Sequence, residues 1–287
     1  MRLVTLARDG GATLGVRRDD AIIDLGKLSG SLPGSMLELI EAGPRALAEV
    51  QSAIAKAPES SLIAADTADY LPPIPTPGKI ICLGLNYADH AKEGGHERPT
   101  YPSFFMRAAT SLIGHGHPIV RPKASETLDY EAEMVAVIGA RARHVGKEQA
   151  LDKIFGYSVF NDGSIRKYQR LTSQWTIGKN FDATGGFGPE IVTADELPAG
   201  ATGLRIQTRL NGEVLQDANT DDMLFGVAET IELLTECMTL EPGDILVMGT
   251  PSGVGHARKP PLWMKAGDVC EIEVERIGVL RNPIVDE

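Results

Sequence analysis

The stretch Leu128-Asp129-Tyr130-Glu131-Ala132-Glu133-Met134-Val135-Ala136-Val137-Ile138 joins two glutamates to an apolar, β-branched run. Residues 130–138 read as a strand, and a strand's period of two puts Glu131 and Glu133 on one face. Carboxylates a few Å apart raise each other's pKa, so in a buried strand they need a shared proton or a cation. Asp162 closes a second strand-like run, Gly156-Tyr157-Ser158-Val159-Phe160-Asn161, and offers a third carboxylate. Three oxygen ligands with open positions suit Mg²⁺, Mn²⁺ or Ca²⁺, hard cations that prefer oxygen. Taken alone, Glu-x-Glu on a strand is more often a water-facing pair than a ligand set, so the assignment needs support from elsewhere in the chain.

A chain of 287 residues with a formal net charge of -11 buries a sizeable core, with length for one large domain and a smaller appendage. The negative charge argues against nucleic acid or an anionic membrane surface as partner, since either rewards a basic face. An anionic substrate must therefore find a local positive centre, such as a metal flanked by Lys or Arg. Cys82, Cys237 and Cys270 are odd in number and lack Cys-x-x-Cys spacing. They read as reduced, mostly buried thiols of a cytoplasmic protein. Met1 to Arg8 shows no h-region with a cleavage site, and no apolar run approaches membrane-spanning length. A soluble, cytoplasmic protein is expected.

In chain order, residues 1–7, 12–17 and 20–25 are short strand candidates forming a meander, and residues 35–57 show helical apolar spacing interrupted by Gly43-Pro44. Leu71-Pro72-Pro73-Ile74-Pro75-Thr76-Pro77-Gly78 is a stiff, extended connector. It sets the expected division: a small domain over 1–70, a linker over 71–78 and a larger domain over 79–287. The strand at 79–84 empties into residues 87–93, where a short helix places His90 and Glu93 on one side. A carboxylate beside an imidazole raises its basicity, as a general base for water requires; a weak surface pair is the plainer alternative. Gly94-Gly95 would let that helix move. Arg107 stands alone in an apolar run and is a candidate carboxylate partner, or else a structural ion-pair residue. His115 and His117 lack a third soft ligand nearby in sequence and read as turn and surface residues.

Residues 147–155 read as a helix. Between Ile165 and Pro189 the chain gathers Arg166, Gln169, Arg170, Trp175 and Lys179 before the glycine-rich Gly185-Gly186-Phe187-Gly188-Pro189, read as a loop that shapes a pocket. Lys179 is a candidate electrophile or anion partner; a basic helix followed by an ordinary loop is the alternative. Asn211-Gly212 signals a hairpin between 204–210 and 213–215, a helix follows over about 226–238, and 244–248 is a buried strand. That strand ends in Gly249-Thr250-Pro251-Ser252-Gly253-Val254-Gly255, a turn whose amides and Thr250 hydroxyl suit a carboxylate. Strands over 269–275 and 279–285 close the chain.

Several of these stretches together resemble the fumarylacetoacetate hydrolase (FAH) superfamily, and within it the acylpyruvate hydrolases. They are Gly84 to Glu93, Asp129-Tyr130-Glu131-Ala132-Glu133, Asn161-Asp162, Gln174 to Phe181, Asn211-Gly212-Glu213 through Asp222-Met223, Gly249 to Val254, and the tail from Gly278. The resemblance runs in order over roughly residues 78–287, and the combination is far more specific than any one motif. It implies an α+β protein with a mixed β-roll catalytic fold and a small α+β amino-terminal domain, usually homodimeric. It also implies Mg²⁺ or Mn²⁺ bound by Glu131, Glu133 and Asp162, with no organic cofactor. His90 and Glu93 match the family's water-activating pair on a mobile lid, Lys179 its active-site lysine and Thr250 its contact to the substrate carboxylate. Where members commonly carry Lys-Pro, this chain has Arg107-Ala108, which keeps the charge and alters its reach.

The expected reaction is metal-dependent hydrolysis of a carbon–carbon bond in a 2,4-dioxo acid, an acylpyruvate or a diketo-deoxy sugar acid, giving a 2-oxo acid and a carboxylic acid. His90 backed by Glu93 would activate the water and Lys179 would stabilise the oxyanion, with Arg107, Gln169, Gly249 and Thr250 binding the substrate. The alternative from the same site is oxaloacetate decarboxylation or tautomerisation, or dehydration of a 2-oxo-3-deoxy acid, none of which needs an attacking water. A non-catalytic binding module is a third class, disfavoured because every chemical position of the family is filled.

Overall fold

The strand Ala132–Ile138 is buried along its whole length, and its alternation feeds two different cores. Met134, Ala136 and Ile138 join Ile206, Ile272 and Leu280 in one cluster, while Val135 and Val137 join Met36, Leu39 and Val50 in another. A strand covered on both faces is expected to be continuously apolar, which accounts for its composition. In this computed structural model, residues 1–28, 30–93 and 99–287 are described.

Among the described residues, eleven strands form one large sheet. Its central order is Arg2–Arg8, Gly185–Thr193, Ile154–Asp162, Ala132–Ile138, Ile245–Val247, Ile80–Gly84 and Ser103–Met106. A five-stranded sheet (Glu213–Asn219, Arg205–Leu210, Val269–Val274, Gly278–Asp286 and Ile119–Arg121) supplies the first core's other wall. Helix Met36–Ile54 covers the opposite face and helix Val227–Cys237 packs into the first core. The result is the expected α+β, sheet-rich roll.

The hairpin forms across Asn211-Gly212, and helix Met36–Ile54 is kinked where Gly43 leaves helical geometry ahead of Pro44. Three local expectations change. The strand that carries Glu133 starts at Ala132 rather than residue 130, because Leu128–Asp129 pairs separately with Ser164–Ile165. The helix expected over 147–155 stops at Ala150, and after one tight turn the chain enters the strand Ile154–Asp162. Residues 185–188 are no loop: they open the strand Gly185–Thr193, buried throughout, whose first residues pair with Ile154–Asp162 on one side and Leu112–Ile113 on the other. A Cβ at Gly185 would sit 2.7 Å from an Arg107 guanidinium nitrogen. Here glycine makes room for a side chain rather than for a bend.

The amino-terminal meander extends this same sheet, with Arg2 opposite Val192. The proline-rich segment runs beside the first strand, where the Thr5 hydroxyl donates to the Pro73 carbonyl at 2.7 Å. No helix among the described residues is long and apolar enough to cross a membrane.

Candidate active site

Antiparallel pairing sets Glu133 opposite Phe160 and Ala132 opposite Asn161, and the Asp162 N–H donates to the Glu131 carbonyl at 3.0 Å. Register therefore points Glu131, Glu133 and Asp162 to one face. One oxygen from each lies within 4.8 Å of the others, and all three residues are buried.

Buried carboxylates on this scale require compensation. Lys179 Nζ donates to Glu131 Oε2 at 2.6 Å and to Asp162 Oδ2 at 2.5 Å. Arg166 holds Glu131 Oε1 at 2.6 Å and Asp129 Oδ2 at 2.8 Å, and Arg107 holds Asp162 Oδ1 at 2.5 Å. Burial opposes the Glu131 charge, but Lys179 and Arg166 overcome it and keep this carboxyl well below its usual range. Glu133 lacks a cationic partner of this kind: its Oε2 accepts the Gly249 N–H. Burial first, then the charges of Asp162 and Glu131, push its carboxyl well above the ordinary value. Asp129, Glu131, Glu133 and Asp162 thus face Arg107, Arg166 and Lys179, so with every carboxyl ionised the set carries one formal negative charge in excess, and Glu133 is the group without a side-chain cation. An all-oxygen donor set with an excess of negative charge fits a hard divalent cation.

A cavity of about 580 Å³ opens onto Glu131 and Glu133 and is also lined by His90, Glu93, Gln169, Lys179 and Thr250. His90 and Glu93 share the helix Ala88–Glu93, with Nδ1 3.6 Å from Oε2. Both Glu93 oxygens accept the Gly253 N–H at 3.1 Å, tying this helix to the turn after Ile245–Val247. Burial raises the Glu93 carboxyl, but the His90 ring and the Gly253 amide outweigh it and keep the group ionised below its usual range. Gly94-Gly95, where a hinge is expected, lies outside the described residues.

Thr250 Oγ1 accepts the Gln216 side-chain amide at 2.9 Å, which leaves its own proton free for a ligand. Gln169 Oε1 accepts from Arg166 at 2.8 Å, leaving its NH₂ available. Two expected substrate contacts fall elsewhere. Arg107 does not line the cavity: its side chain is 0% exposed and is spent on Asp162, Ser111 and Thr184 behind the carboxylates. Gly249 also stands behind the wall, where its φ of +90° aims its N–H at Glu133, and a Cβ there would meet Asn86 at 2.6 Å.

Two supporting residues escaped the sequence reading. Asp129 accepts Arg166 together with the backbone N–H groups of Tyr130, Gly255 and His256, locking the turn to the arginine that holds Glu131. Gln216 also accepts the Ala132 N–H at 2.9 Å and the Thr208 hydroxyl at 2.6 Å. Its partners are distant in sequence, so no local spacing could announce it, whereas Asp129 sits inside the quoted acidic motif.

Comparison with known proteins agrees with this architecture. Residues 79–285 match the family model described as fumarylacetoacetate (FAA) hydrolase C-terminal. The chain is 39% identical over 266 residues to the mitochondrial oxaloacetate tautomerase fahd2 of Xenopus laevis, covering 92% of this chain and 82% of that protein. It is 35% identical to the human mitochondrial oxaloacetate tautomerase FAHD2A, with coverage of 92% and 84%. Among solved structures, a fumarylacetoacetate hydrolase from psychrophilic Exiguobacterium antarcticum superposes with a TM-score of 0.87 at 35% identity, covering 100% of both chains. Maleylpyruvate hydrolase from Sphingobium sp. SYK-6, solved with manganese(II) and pyruvate, gives 0.81 at 29% identity, covering 100% of this chain and 99% of that one. With the family model spanning most of the length and full-chain relatives above 30% identity, this chain belongs to the fumarylacetoacetate hydrolase family.

Proposed function

We propose that this chain is a divalent-metal-dependent oxaloacetate tautomerase, the alternative reading of its sequence, rather than an acylpyruvate hydrolase. The observation that carries this is a buried carboxylate triad, two of whose members line a cavity of about 580 Å³, in a chain whose full-length relatives include oxaloacetate tautomerases. A Mg²⁺ or Mn²⁺ ion held by Glu131, Glu133 and Asp162 would supply a Lewis-acid centre for the carboxylate and 2-oxo oxygens of the substrate.

Tautomerisation moves one proton between C3 and the 2-oxygen. His90 faces the cavity with an ionised Glu93 beside it, and acts as the base that takes the C3 proton and returns it to oxygen. Lys179 serves as fixed charge. Burial pulls its pKa down, but Asp162 and Glu131 outweigh burial and hold its ammonium above the usual lysine value. It therefore stabilises negative charge on the 2-oxygen without surrendering its proton. The Thr250 hydroxyl and the Gln169 amide orient the carboxylate.

Hydrolysis of a 2,4-dioxo acid is the second reading, favoured by the His90–Glu93 pair, which would equally activate a water. A panel of enol-oxaloacetate, acylpyruvates and 3-deoxy-2-oxo sugar acids with Mg²⁺ or Mn²⁺ separates the two. Fast enol-oxaloacetate decay with slow cleavage of the rest supports tautomerisation; the reverse order supports hydrolysis. The same proposal includes a homodimer, a cytoplasmic location and the division into residues 1–70, 71–78 and 79–287, with 1–70 an appendage that shares its sheet and core with 79–287 rather than a free-standing unit. The three unpaired cysteines and the proline-rich connector support the last two.

A further inference from the structure

We propose that Arg170 forms a second anionic subsite in the cavity, one that receives the distal carboxylate and selects 2-oxo dicarboxylic acids over monocarboxylic ones. The inference rests on the 2-oxo acid reading above and assigns the residue that receives the second carboxylate of a substrate such as oxaloacetate.

Three cations besides Arg170 stand at or behind the cavity floor, and each is engaged. Lys179 is held by Glu131 and Asp162, Arg166 by Glu131 and Asp129, and Arg107 by Asp162. Arg170 also lines the cavity, yet among the described residues no carboxylate pairs with it and its side chain makes no hydrogen bond. A guanidinium offers five donors in a planar fork matched to a carboxylate, so an unengaged one on a cavity wall is a receptor for such a group.

Charge balance points the same way. With all four floor carboxylates ionised, a bound divalent cation would leave one formal positive charge on the floor for the carboxylate at the 2-oxo end, while Glu93 across the cavity is engaged by His90 and the Gly253 amide. A second carboxylate needs a second cation, and Arg170 is the cavity-lining residue with charge to spare. His256 stands beside this position. Its backbone N–H is fixed by Asp129 at 3.0 Å, its ring stacks against Trp263 with centroids 5.8 Å apart, and its Nδ1 is shielded from solvent without a partner. That ring offers a further polar atom on the same wall.

Arg170 follows the short helix Arg166–Gln169 and is exposed at the cavity mouth, so replacing it spares the core. The test is calorimetric titration of the Mg²⁺-loaded protein with 2-oxoglutarate and with 2-oxobutyrate, in wild type, Arg170→Gln and Arg170→Lys. The wild type is expected to favour the dicarboxylate by about tenfold, the effect of one charge-assisted hydrogen bond in a partly solvated site. Arg170→Gln should erase that preference without weakening 2-oxobutyrate, and Arg170→Lys should keep part of it. Equal binding of the two acids by the wild type, or an unchanged preference in Arg170→Gln, overturns the subsite. Absence of oxaloacetate turnover alongside an Arg170-dependent preference would instead overturn the tautomerase reading and leave the subsite standing.

Discussion

Lys179 Nζ stands 2.5 Å from Asp162 Oδ2, with both side chains essentially withdrawn from solvent. The same ammonium serves Glu131, so one cation offsets two buried carboxylates. Lys179→Met should therefore cost about 3–5 kcal/mol of folding stability in metal-free protein, the usual penalty for stranding a buried charge. Mg²⁺ should recover part of that loss, because a divalent ion replaces the missing positive charge. Thermal unfolding of the variant with and without Mg²⁺ checks both statements.

Glu93 bridges His90 and the Gly253 amide. Glu93→Gln keeps the shape but removes the negative charge that stands beside the His90 ring. The kcat for enol-oxaloacetate should fall about 10²-fold, the scale of a general-base contribution, with KM changed far less. Steady-state kinetics on the purified variant gives this split, and a loss confined to KM would place Glu93 in binding instead.

His115 lies outside the active site, between the amino-terminal strands and the carboxy-terminal sheet. Burial first, then Arg17 and Arg281, lower its pKa from 6.5 to about 4, and its Nδ1 accepts the Arg281 N–H at 3.1 Å. A histidine of this kind binds its proton more readily when unfolded. Its contribution to stability is complete above about pH 6.5 and is lost as pH falls towards 4. Between about pH 7 and pH 5 the Tm of the wild type should drop more steeply than that of His115→Gln. Parallel slopes in a pH series of thermal melts would remove His115 from the acid response.

Legibility from sequence followed the range of the interactions. Glu131, Glu133 and their strand were visible because period-two alternation is local, and the His90–Glu93 pair because helical spacing is. Arg107 misled: an arginine in an apolar run suits both a ligand contact and a buried counter-ion, and only the position of Asp162 decides between them. Gly185 and Gly186 misled for a related reason. Glycine marks bends and close approaches alike, and here the crowding by Arg107 and Asn282 lies across the sheet. Gln216 was silent because its partners Ala132 and Thr250 converge on it only in the folded chain. The His90–Glu93 pair tilted the sequence reading towards hydrolysis, whereas the full-length relatives favour the tautomerase alternative; both chemistries use the same triad, so the motifs alone could not separate them.

Metal-dependent tautomerisation at the carboxylate triad is tested most directly by enol-oxaloacetate decay, followed by ultraviolet absorbance, for wild type and Glu133→Gln. Each is stripped with a chelator and then given Mg²⁺ or Mn²⁺, with metal binding measured on the same samples. The stripped wild type should fall to the uncatalysed rate and regain activity on binding one divalent ion per chain. Glu133→Gln, lacking the carboxylate that no side-chain cation offsets, should bind the ion at least tenfold more weakly and remain slow at metal concentrations that restore the wild type. Full turnover by the stripped wild type, or metal binding and activity unchanged in Glu133→Gln, would contradict it.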